Sequence, residues 1–238
     1  MLKSSIVKVD AADGRLRQDM FAIFQRYYLA TSAERFDSDL SGKDALVILR
    51  DAGGRLRGFS TLAVTQCEFS GGPVRVVFSG DTIVERACWG SPALAFSWIR
   101  HIGEIAREAP GVPLYWLLIV KGHRTYRYLP AFGLEFTPDW RKPADAGLHA
   151  LKGEIAAQRF GTSYDHATGL IRADAWSGHL APEWASVSPR EARRPDVRFF
   201  MAMNPGYARG DELVCLCSLS PDNMRPLARR IYLHGTQP

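Results

Sequence analysis

The hydrophobic and polar positions between residues 74 and 120 predict a strand, a helix and a second strand. Residues 74–84 (VRVVFSGDTIV) are rich in β-branched and aromatic side chains, which is typical of a mostly buried strand. From Pro92 to about Glu108, apolar residues recur at spacings of three and four, which predicts an amphipathic helix. Residues 113–120 (PLYWLLIV) are apolar without interruption and predict a second central strand, parallel to the first.

The start of this helix carries groups suited to an anion. Ser91 is a candidate N-cap residue, and Pro92 takes the first helical position. The N–H groups in the first turn of a helix have no intrahelical partner, so phosphate is the expected ligand. A short helix is predicted within residues 123–132, ended by Gly133, and another strand begins at residues 134–136.

The N-terminal third predicts an antiparallel meander that leads into this unit. Residues 4–10 are a first strand, residues 15–30 an amphipathic helix, and residues 45–64 a hairpin. Residues 31–44 are polar and are predicted to form a loop, with or without one helical turn. The aromatic side chains of the first helix either pack in the core or line an acyl or acceptor pocket.

The pattern changes after residue 139, and an extension is predicted. It contains a helix over residues 144–160 and a long Gly- and Pro-containing loop over residues 161–196, which is typical of a covering or binding segment. Residues 197–219 predict a β-hairpin that either completes the sheet or forms an interface in a homodimer. The predicted domains are therefore a core, 1–140, and an extension, 141–238.

Composition excludes some classes of protein. The 238 residues are 46% hydrophobic and 23% charged, as in an ordinary globular protein. No apolar run approaches the roughly 20 residues of a membrane span, and the first residues lack the apolar core of a signal peptide, so we expect a cytoplasmic protein. The net charge of +5 fits an anionic partner, but the basic residues are dispersed, so nucleic acid is not expected. The four scattered cysteines predict neither a disulfide scaffold nor a metal site.

The order of elements resembles the second half of the GNAT fold, that of the N-acetyltransferase-like acyl-CoA N-acyltransferases. The tract YRYLPAFGL (126–134) and the loop ACWGSP (87–92) carry the resemblance. The segments SGDT, RTYRYLP and NPGY are similar to those of a group of bacterial proteins. The resemblance implies an α/β (α+β) fold in which a partly antiparallel central sheet contains a splayed parallel pair and is flanked by helices. Leu129 stands where the family commonly has a tyrosine, and the loop has one glycine.

The resemblance also implies an activity. The implied activity is that of an N-acyltransferase, which moves an acyl group directly from a thioester to an amine without a metal. The thioester donor is either CoA or an acyl carrier protein that bears phosphopantetheine. The acceptor is a small molecule or a peptide, and the aromatic first helix and the extension suggest an acyl chain longer than acetyl. One alternative is a catalytically inactive GNAT-like module that binds a carrier protein or another protein. A second is a cysteine-based acyl carrier or hydrolase that uses Cys88 beside the helix N-terminus.

Candidate site residues follow from the tetrapeptide 79–82 and from the resemblance. Gly80 within a strand predicts a β-bulge. Asp81 is either the general base that deprotonates the amine or a hydrogen-bond partner of the bulge backbone. Tyr126 and Tyr128 compete as the acid that protonates the leaving thiolate, and Tyr128 is preferred. The implied donor contacts are Thr82, Ile83, Val84, Arg86, Trp89, Gly90, Ser91, Arg124 and Arg127.

Overall fold

A computed structural model, which describes residues 2–143, 145–174 and 178–236, gives the fold of the chain. The protein is a mixed α/β protein with a mostly antiparallel sheet that contains a parallel pair and is flanked by helices. This confirms the predicted fold class. None of the helices in the described residues combines the length and apolar character needed to cross a bilayer.

The strands differ greatly in length, and the two longest are consecutive in the chain. The strands are β1 (Lys3–Lys8), β2 (Tyr28–Leu29), β3 (Ala45–Arg50), β4 (Leu56–Phe69), β5 (Gly72–Val84), β6 (Leu114–Val120), β7 (Phe136–Thr137), β8 (Tyr164–Asp165), β9 (Leu170–Ile171), β10 (His179–Leu180) and β11 (Glu212–Ser218). The helices are α1 (Gly14–Phe24), α2 (Ala33–Ser41), α3 (Ala93–Glu108), α4 (His123–Tyr126), α5 (Tyr128–Phe132), α6 (Ala146–Phe160), α7 (Pro182–Ala185), α8 (Pro189–Ala192), α9 (Pro195–Met203) and α10 (Pro226–Thr236).

Several helices begin at a side chain that accepts a hydrogen bond from the first turn. Asp13 caps α1, Ser32 caps α2 and Asp145 caps α6, each by accepting from the backbone N–H three residues later. Ser188 begins α8 with a reciprocal capping box that involves Glu191. The spacing of apolar residues locates the start of a helix only to within a few residues. The capping side chains define these starts more closely.

The chain divides into two compact units. The first contains Met1–Arg26, Ser32–Tyr115 and Leu219–Pro238, and the second contains Tyr27–Thr31 and Trp116–Ser218. Both units take residues from distant parts of the sequence. The predicted boundary between residues 140 and 141 is a different division and stays a prediction.

The first unit is built on the antiparallel strands β1, β3, β4 and β5, in that order. Helix α10 packs against α3 in the same unit. A Cβ atom at Gly103 of α3 would collide with the Tyr232 carbonyl, and one at Gly235 of α10 with the Arg100 carbonyl. Glycine is therefore required for this close approach of the two helices.

The aromatic residues of the first unit form part of its core. The ring centroids of Phe24 and Phe36 are 5.2 Å apart, and those of Phe36 and Phe59 are 6.1 Å apart. All three residues are buried. This packing supports the core interpretation of Phe24 in the first helix over the acyl-pocket interpretation.

The second unit is organised around β11. This strand pairs antiparallel with β7 and with β9, β9 pairs with β8, and β11 also lies beside β6. Cys215 and Cys217 of β11 are both buried, and burial raises the pKa of the Cys215 thiol to about 12. The cysteines thus serve as small apolar residues of a central strand.

The predicted hairpin over residues 197–219 is wrong. Residues Pro195–Met203 form the helix α9, and only Glu212–Ser218 form a strand. Pro195 takes a first-turn position with a fixed φ, and Val197 and Phe200 are buried at a helical spacing of three. Helix-compatible spacing therefore outweighs the β-preference of Val and Phe in this segment.

Two predicted loops also contain regular structure. Residues 33–41 form α2, because Ser32 caps its start and Phe36 and Leu40 are buried four residues apart. Residues 161–196 were predicted to be a long loop, but they contain the short elements β8, β9, β10, α7 and α8. The polar composition of both segments hid these elements.

Candidate functional site

The predicted β-bulge in β5 is present. Ser79 pairs with Leu62 of β4 and Thr82 pairs with Ser60, so Gly80 and Asp81 both stand opposite the single residue Thr61. The extra residue lies on β5, four residues from the end of the strand. A bulge of this kind leaves main-chain groups outside the ladder and changes the direction of the following side chains.

Two buried polar side chains lie behind the bulge. A Cβ atom at Gly80 would lie 2.5 Å from Thr61 Oγ1 and 2.7 Å from Lys43 Cε. Lys43 is 7% exposed, its ammonium donates to the Asp39 carbonyl at 3.0 Å, and it lies 5.3 Å from the centre of the Phe78 ring. Within the described part of the chain, the buried hydroxyl of Thr61 has no hydrogen-bond partner. Lys43 could not be singled out from the sequence, because it lies in a polar stretch.

The residues of β5 that were predicted as donor contacts lie at the end of the strand. The Thr82 hydroxyl shares a hydrogen bond of 2.7 Å with the Ser60 hydroxyl, and Ile83 is buried. The Val84 carbonyl accepts a hydrogen bond of 2.7 Å from the indole N–H of Trp89. Trp89 is 45% exposed, so this bond holds its indole to the end of the strand while much of the residue stays in solvent.

The loop between β5 and α3 begins with a short 3₁₀ turn over Arg86–Cys88. Arg86 is exposed, and Gly90 has a φ of +87°. Helix α3 begins at Ala93, one residue later than predicted, so Pro92 rather than Ser91 is its N-cap residue. Ser91 Oγ still accepts a hydrogen bond from the Ala93 N–H at 3.3 Å. The N–H groups in the first turn of a helix have no acceptor within the helix. The start of α3 is therefore the element that we predict to bind an anion.

Glu85, at the start of this loop, is a buried charged residue. It is 8% exposed, and its carboxylate lies 2.7 Å from Arg57, 2.8 Å from Arg26 and 4.0 Å from Arg55. Arg57 also contacts Asp51 at 2.8 Å. Three arginines therefore surround one buried carboxylate at the end of β5, and the sequence did not predict this cluster because its members are distant in the chain.

In the second unit, the two candidate tyrosines have different environments. Tyr126 is fully buried, and its hydroxyl donates to the Pro138 carbonyl at 2.7 Å. Tyr128 is partly exposed, its ring lies 5.7 Å from that of Phe132, and burial raises the pKa of its hydroxyl. The hydroxyl of Tyr126 is thus committed to a structural bond, and Leu129, at the family's tyrosine position, is buried.

A carboxylate of α8 binds the basic side chains that follow β6. Glu191 Oε1 lies 3.1 Å from His123 Nε2 and 3.2 Å from Arg124, which also donates to the Trp184 carbonyl at 2.8 Å. Hydrogen bonding from the Ser188 hydroxyl is the main cause that lowers the pKa of Glu191 to about 2, and His123 and Arg124 add to it. Burial is the main cause that lowers the pKa of His123.

The other two basic residues of this region are also paired. Lys121 contacts Glu212 at 2.9 Å, and the Arg127 guanidinium lies 3.7 Å from Asp196. Asp196 is buried and is held further by Arg194 at 2.8 Å. Arg124 and Arg127, which were predicted to contact the donor, are therefore paired with acids from residues 188–196. These acids belong to the segment that was predicted to be a covering or binding loop.

The structure thus places the predicted residues in two groups, one in each unit. Asp81, Thr82–Val84, Arg86 and Trp89–Ser91 follow one another along β5 and its loop. Arg124, Arg127 and Tyr128 lie in or next to α4 and α5. Among the described residues, no group of three or more His, Cys, Asp or Glu side chains is arranged to bind a metal ion.

Solved structures of acetyltransferases are similar to this chain at low identity. The GNAT family N-acetyltransferase YhbS from Escherichia coli, solved with CoA, is 16% identical and has a TM-score of 0.39 over 56% of this chain and 71% of its own. A Trypanosoma brucei acetyltransferase is 15% identical, with a TM-score of 0.37 over 54% of this chain and 88% of its own. A conserved Enterococcus faecalis protein of unknown function is 12% identical, with a TM-score of 0.43 over 92% of this chain and 65% of its own. No family model and no curated protein matches the sequence.

At these identities, none of those proteins assigns a role to a residue of this chain. The interpretation of the site therefore depends on the chain's own residues. Cys88 gains no support as a nucleophile, because no histidine hydrogen-bonds to its thiol within the described residues.

Proposed function

We propose that this protein is an N-acyltransferase that transfers an acyl group from a CoA thioester to an amine. The observation that carries the proposal is the bulge at Gly80-Asp81, which interrupts β5 shortly before the loop that leads into α3. A β-bulge interrupts the regular ladder, and main-chain N–H groups at such a position are suited to bind the oxygen of a thioester carbonyl. The loop and helix start beyond it are suited to the donor's phosphates.

The proposal assigns the proton transfers to Asp81 and Tyr128. The amine nitrogen attacks the thioester carbonyl carbon, a C–N bond forms, and the C–S bond breaks. Asp81, on the bulge, accepts the proton that the amine loses. Tyr128 gives its proton to the departing thiolate, and the raised pKa of its hydroxyl keeps it protonated at neutral pH. The chemistry is a direct transfer without a covalent enzyme intermediate.

The proposed donor contacts are the backbone of Thr82, Ile83 and Val84 and the loop residues Arg86, Trp89, Gly90 and Ser91. Arg124 and Arg127 remain proposed contacts, but they must exchange their bonds to Glu191 and Asp196 to reach a donor. An acyl chain longer than acetyl, an acyl carrier protein as donor and a homodimer stay predictions. The acceptor is an amine on a small molecule or a peptide.

Release of the thiol from acetyl-CoA, measured with a panel of amines, tests the activity. Asp81→Asn and Tyr128→Phe are each expected to lower kcat by about 100-fold, the lower end of general acid–base contributions, while CoA binding by calorimetry is retained. Asp19→Asn, at an exposed position of α1, and Tyr126→Phe are the matched controls and keep kcat.

If both Asp81→Asn and Tyr128→Phe turn over acetyl-CoA at the wild-type rate, the assignment of roles is wrong. If the folded protein binds no pantetheine thioester but retains a protein partner in a pull-down, the inactive-module alternative replaces the proposed activity.

A further inference from the structure

We propose that Lys43 is a positioning residue of the transfer, whose buried ammonium holds the bulge at Gly80 and favours negative charge beside it. This inference rests on the proposed function and deepens it, because the proposed transfer places negative charge on the thioester oxygen at this bulge. The hydroxyl of Thr61 takes part in the same arrangement. All three residues belong to the first unit.

Three segments of the first unit meet at one point of the backbone. Lys43 follows α2 by two residues, Thr61 lies on β4, and Gly80 is one of the two bulge residues opposite Thr61. A Cβ atom at Gly80 would lie 2.5 Å from Thr61 Oγ1, 2.7 Å from Lys43 Cε and 3.5 Å from Lys43 Nζ. The bulge therefore approaches both side chains only because residue 80 has no side chain of its own.

The ammonium of Lys43 is buried, whereas its acidic partner is mostly in solvent. The side chain of Lys43 is 4% exposed and that of Asp39 is 64% exposed, and Lys43 Nζ lies 3.4 Å from Asp39 Oδ2. No other acid of the described residues forms an ion pair with Lys43. Because solvent screens the exposed carboxylate more than the buried ammonium, the positive charge of Lys43 still acts on the bulge.

The hydroxyl of Thr61 is buried at the same point and has no hydrogen-bond partner among the described residues. The neighbouring Ser60, on the other face of the strand, shares a hydrogen bond of 2.7 Å with the Thr82 hydroxyl. A buried hydroxyl without a partner destabilises the fold. Its hydrogen is free to turn toward negative charge at the bulge, which gives the unpaired group a use.

A purely structural role predicts a different placement of Lys43. A lysine that only binds the last carbonyl groups of a helix does so from the surface, with its ammonium in water. Lys43 binds the Asp39 carbonyl of α2 at 3.0 Å, but its stem runs beside Gly80 and its ammonium lies 5.3 Å from the centre of the Phe78 ring. The burial of this charge against the bulge is the feature that the proposed role explains.

Steady-state kinetics with acetyl-CoA and an amine that the wild type acylates test the inference. Lys43→Met keeps much of the stem and removes the charge, so kcat should fall by about tenfold or more while KM for acetyl-CoA changes by less than about twofold. The loss should persist in about 0.5 M salt, because a buried charge is little screened. Lys43→Arg, which retains the charge, should recover part of the loss. Lys8→Met, at an exposed position of β1, is the matched control and should keep kcat.

Two further variants separate the charge from the packing. Asp39→Asn removes the exposed carboxylate but leaves the main-chain carbonyl that holds the ammonium, so kcat should stay within about twofold of the wild-type value. Thr61→Val removes a hydroxyl that has no partner, so the variant should fold at least as well as the wild type while kcat falls by about threefold. Thr61→Val decides the inference if Lys43→Met does not fold, and urea denaturation of each variant establishes this.

The other outcomes are also decisive. Wild-type kcat in folded Lys43→Met, or in Thr61→Val where Lys43→Met does not fold, overturns the inference while the proposed acyltransferase stands. A loss that is equal in Lys43→Met and Asp39→Asn, or that appears only in KM, also overturns it, because favouring charge in the transition state acts on kcat. If the folded wild type acylates no amine of the panel, the inference and the proposed function both fail.

Discussion

The basic residues that follow β5 and those that follow β6 have different charge environments. At the end of β5, three arginines share Glu85 and Asp51, and two of them are more than half exposed. After β6, the basic residues meet acids from the later part of the chain, namely Glu191, Asp196 and Glu212. Two groups that have the same character in the sequence therefore differ in how their acids are distributed: one carboxylate is shared by three arginines after β5, whereas three carboxylates are spread along the chain after β6.

This difference shows why the charge environment of a basic residue cannot be assigned from residue type alone. Arg124 and Arg127 were predicted because cationic residues after a central strand often bind anions. Arg26, Arg55 and Arg57 were not predicted, because their partner Glu85 is far from Arg26 in sequence. The following substitutions test whether charge compensation separates the two regions, beginning with the largest expected effect.

Replacement of Glu85 by Gln should give the largest loss of stability. The substitution leaves Arg26 and Arg57 close together without their shared carboxylate, so the free energy of unfolding should fall by about 2 to 3 kcal/mol. Urea denaturation at neutral pH measures it. Added salt should restore part of the loss because it screens the remaining guanidinium groups. A change below about 0.5 kcal/mol would show that the cluster does not depend on Glu85.

Replacement of Gly80 by Ala tests the packing behind the bulge of the first unit. The new Cβ would lie 2.5 Å from Thr61 Oγ1, so we expect a loss of about 1 to 3 kcal/mol in the free energy of unfolding. Gly72→Ala is the control on the same strand, since nothing lies within 4 Å of its Cβ position. Combination with Thr61→Ala should recover part of the loss. Equal effects of Gly80→Ala and Gly72→Ala would contradict this explanation.

Lys152 of the second unit is a buried basic residue whose charge is not paired with an acid of the described residues. It is 3% exposed, burial lowers its pKa, and no carboxylate or carbonyl of the described residues binds its ammonium. Lys152→Met should therefore raise the free energy of unfolding by about 1 kcal/mol at pH 7. Between the lowered folded pKa and the ordinary value of 10.5, the unfolded chain binds more protons, so wild-type stability rises with pH.

The advantage of Met at position 152 should therefore shrink as the pH rises toward 10. Denaturant titrations at pH 7 and pH 9.5 measure this change. Lys142→Met, at a half-exposed position paired with Glu135, is the control without such a pH dependence. A Met advantage that is constant over this range would show that Lys152 is charged in both states.

Glu191→Gln should give the smallest effect, about 0.5 kcal/mol, since its side chain is 27% exposed and Arg124 keeps its bond to the Trp184 carbonyl. The folded pKa of Glu191 is about 2, below its ordinary 4.5, so its contribution is present above 4.5 and is lost as the pH falls toward 2. The difference between wild type and variant should therefore be larger at pH 6 than at pH 3. An equal difference at both values would contradict the assigned ion pairs.

The sequence was most informative where structure is local. The strand with its bulge at Gly80, the helix α3 and the strand β6 all follow from spacing and residue type within about 50 residues. Prediction failed at α9, where Val and Phe favour a strand but Pro195 and the burial of Val197 and Phe200 give a helix. It also failed for Lys43 and Glu85, because the partners of a buried charge are fixed by tertiary structure rather than by neighbouring residues.

The packing of α10 against α3 has a consequence for biosynthesis. The helix whose N-terminus is proposed to receive the donor is joined, through Gly103 and Gly235, to a helix that the ribosome makes more than 110 residues later. A nascent chain that ends at residue 140 has neither α10 nor the sheet strand β11. Long-range contacts of this kind form late, so the first unit should acquire its native packing only after most of the polypeptide has left the exit tunnel.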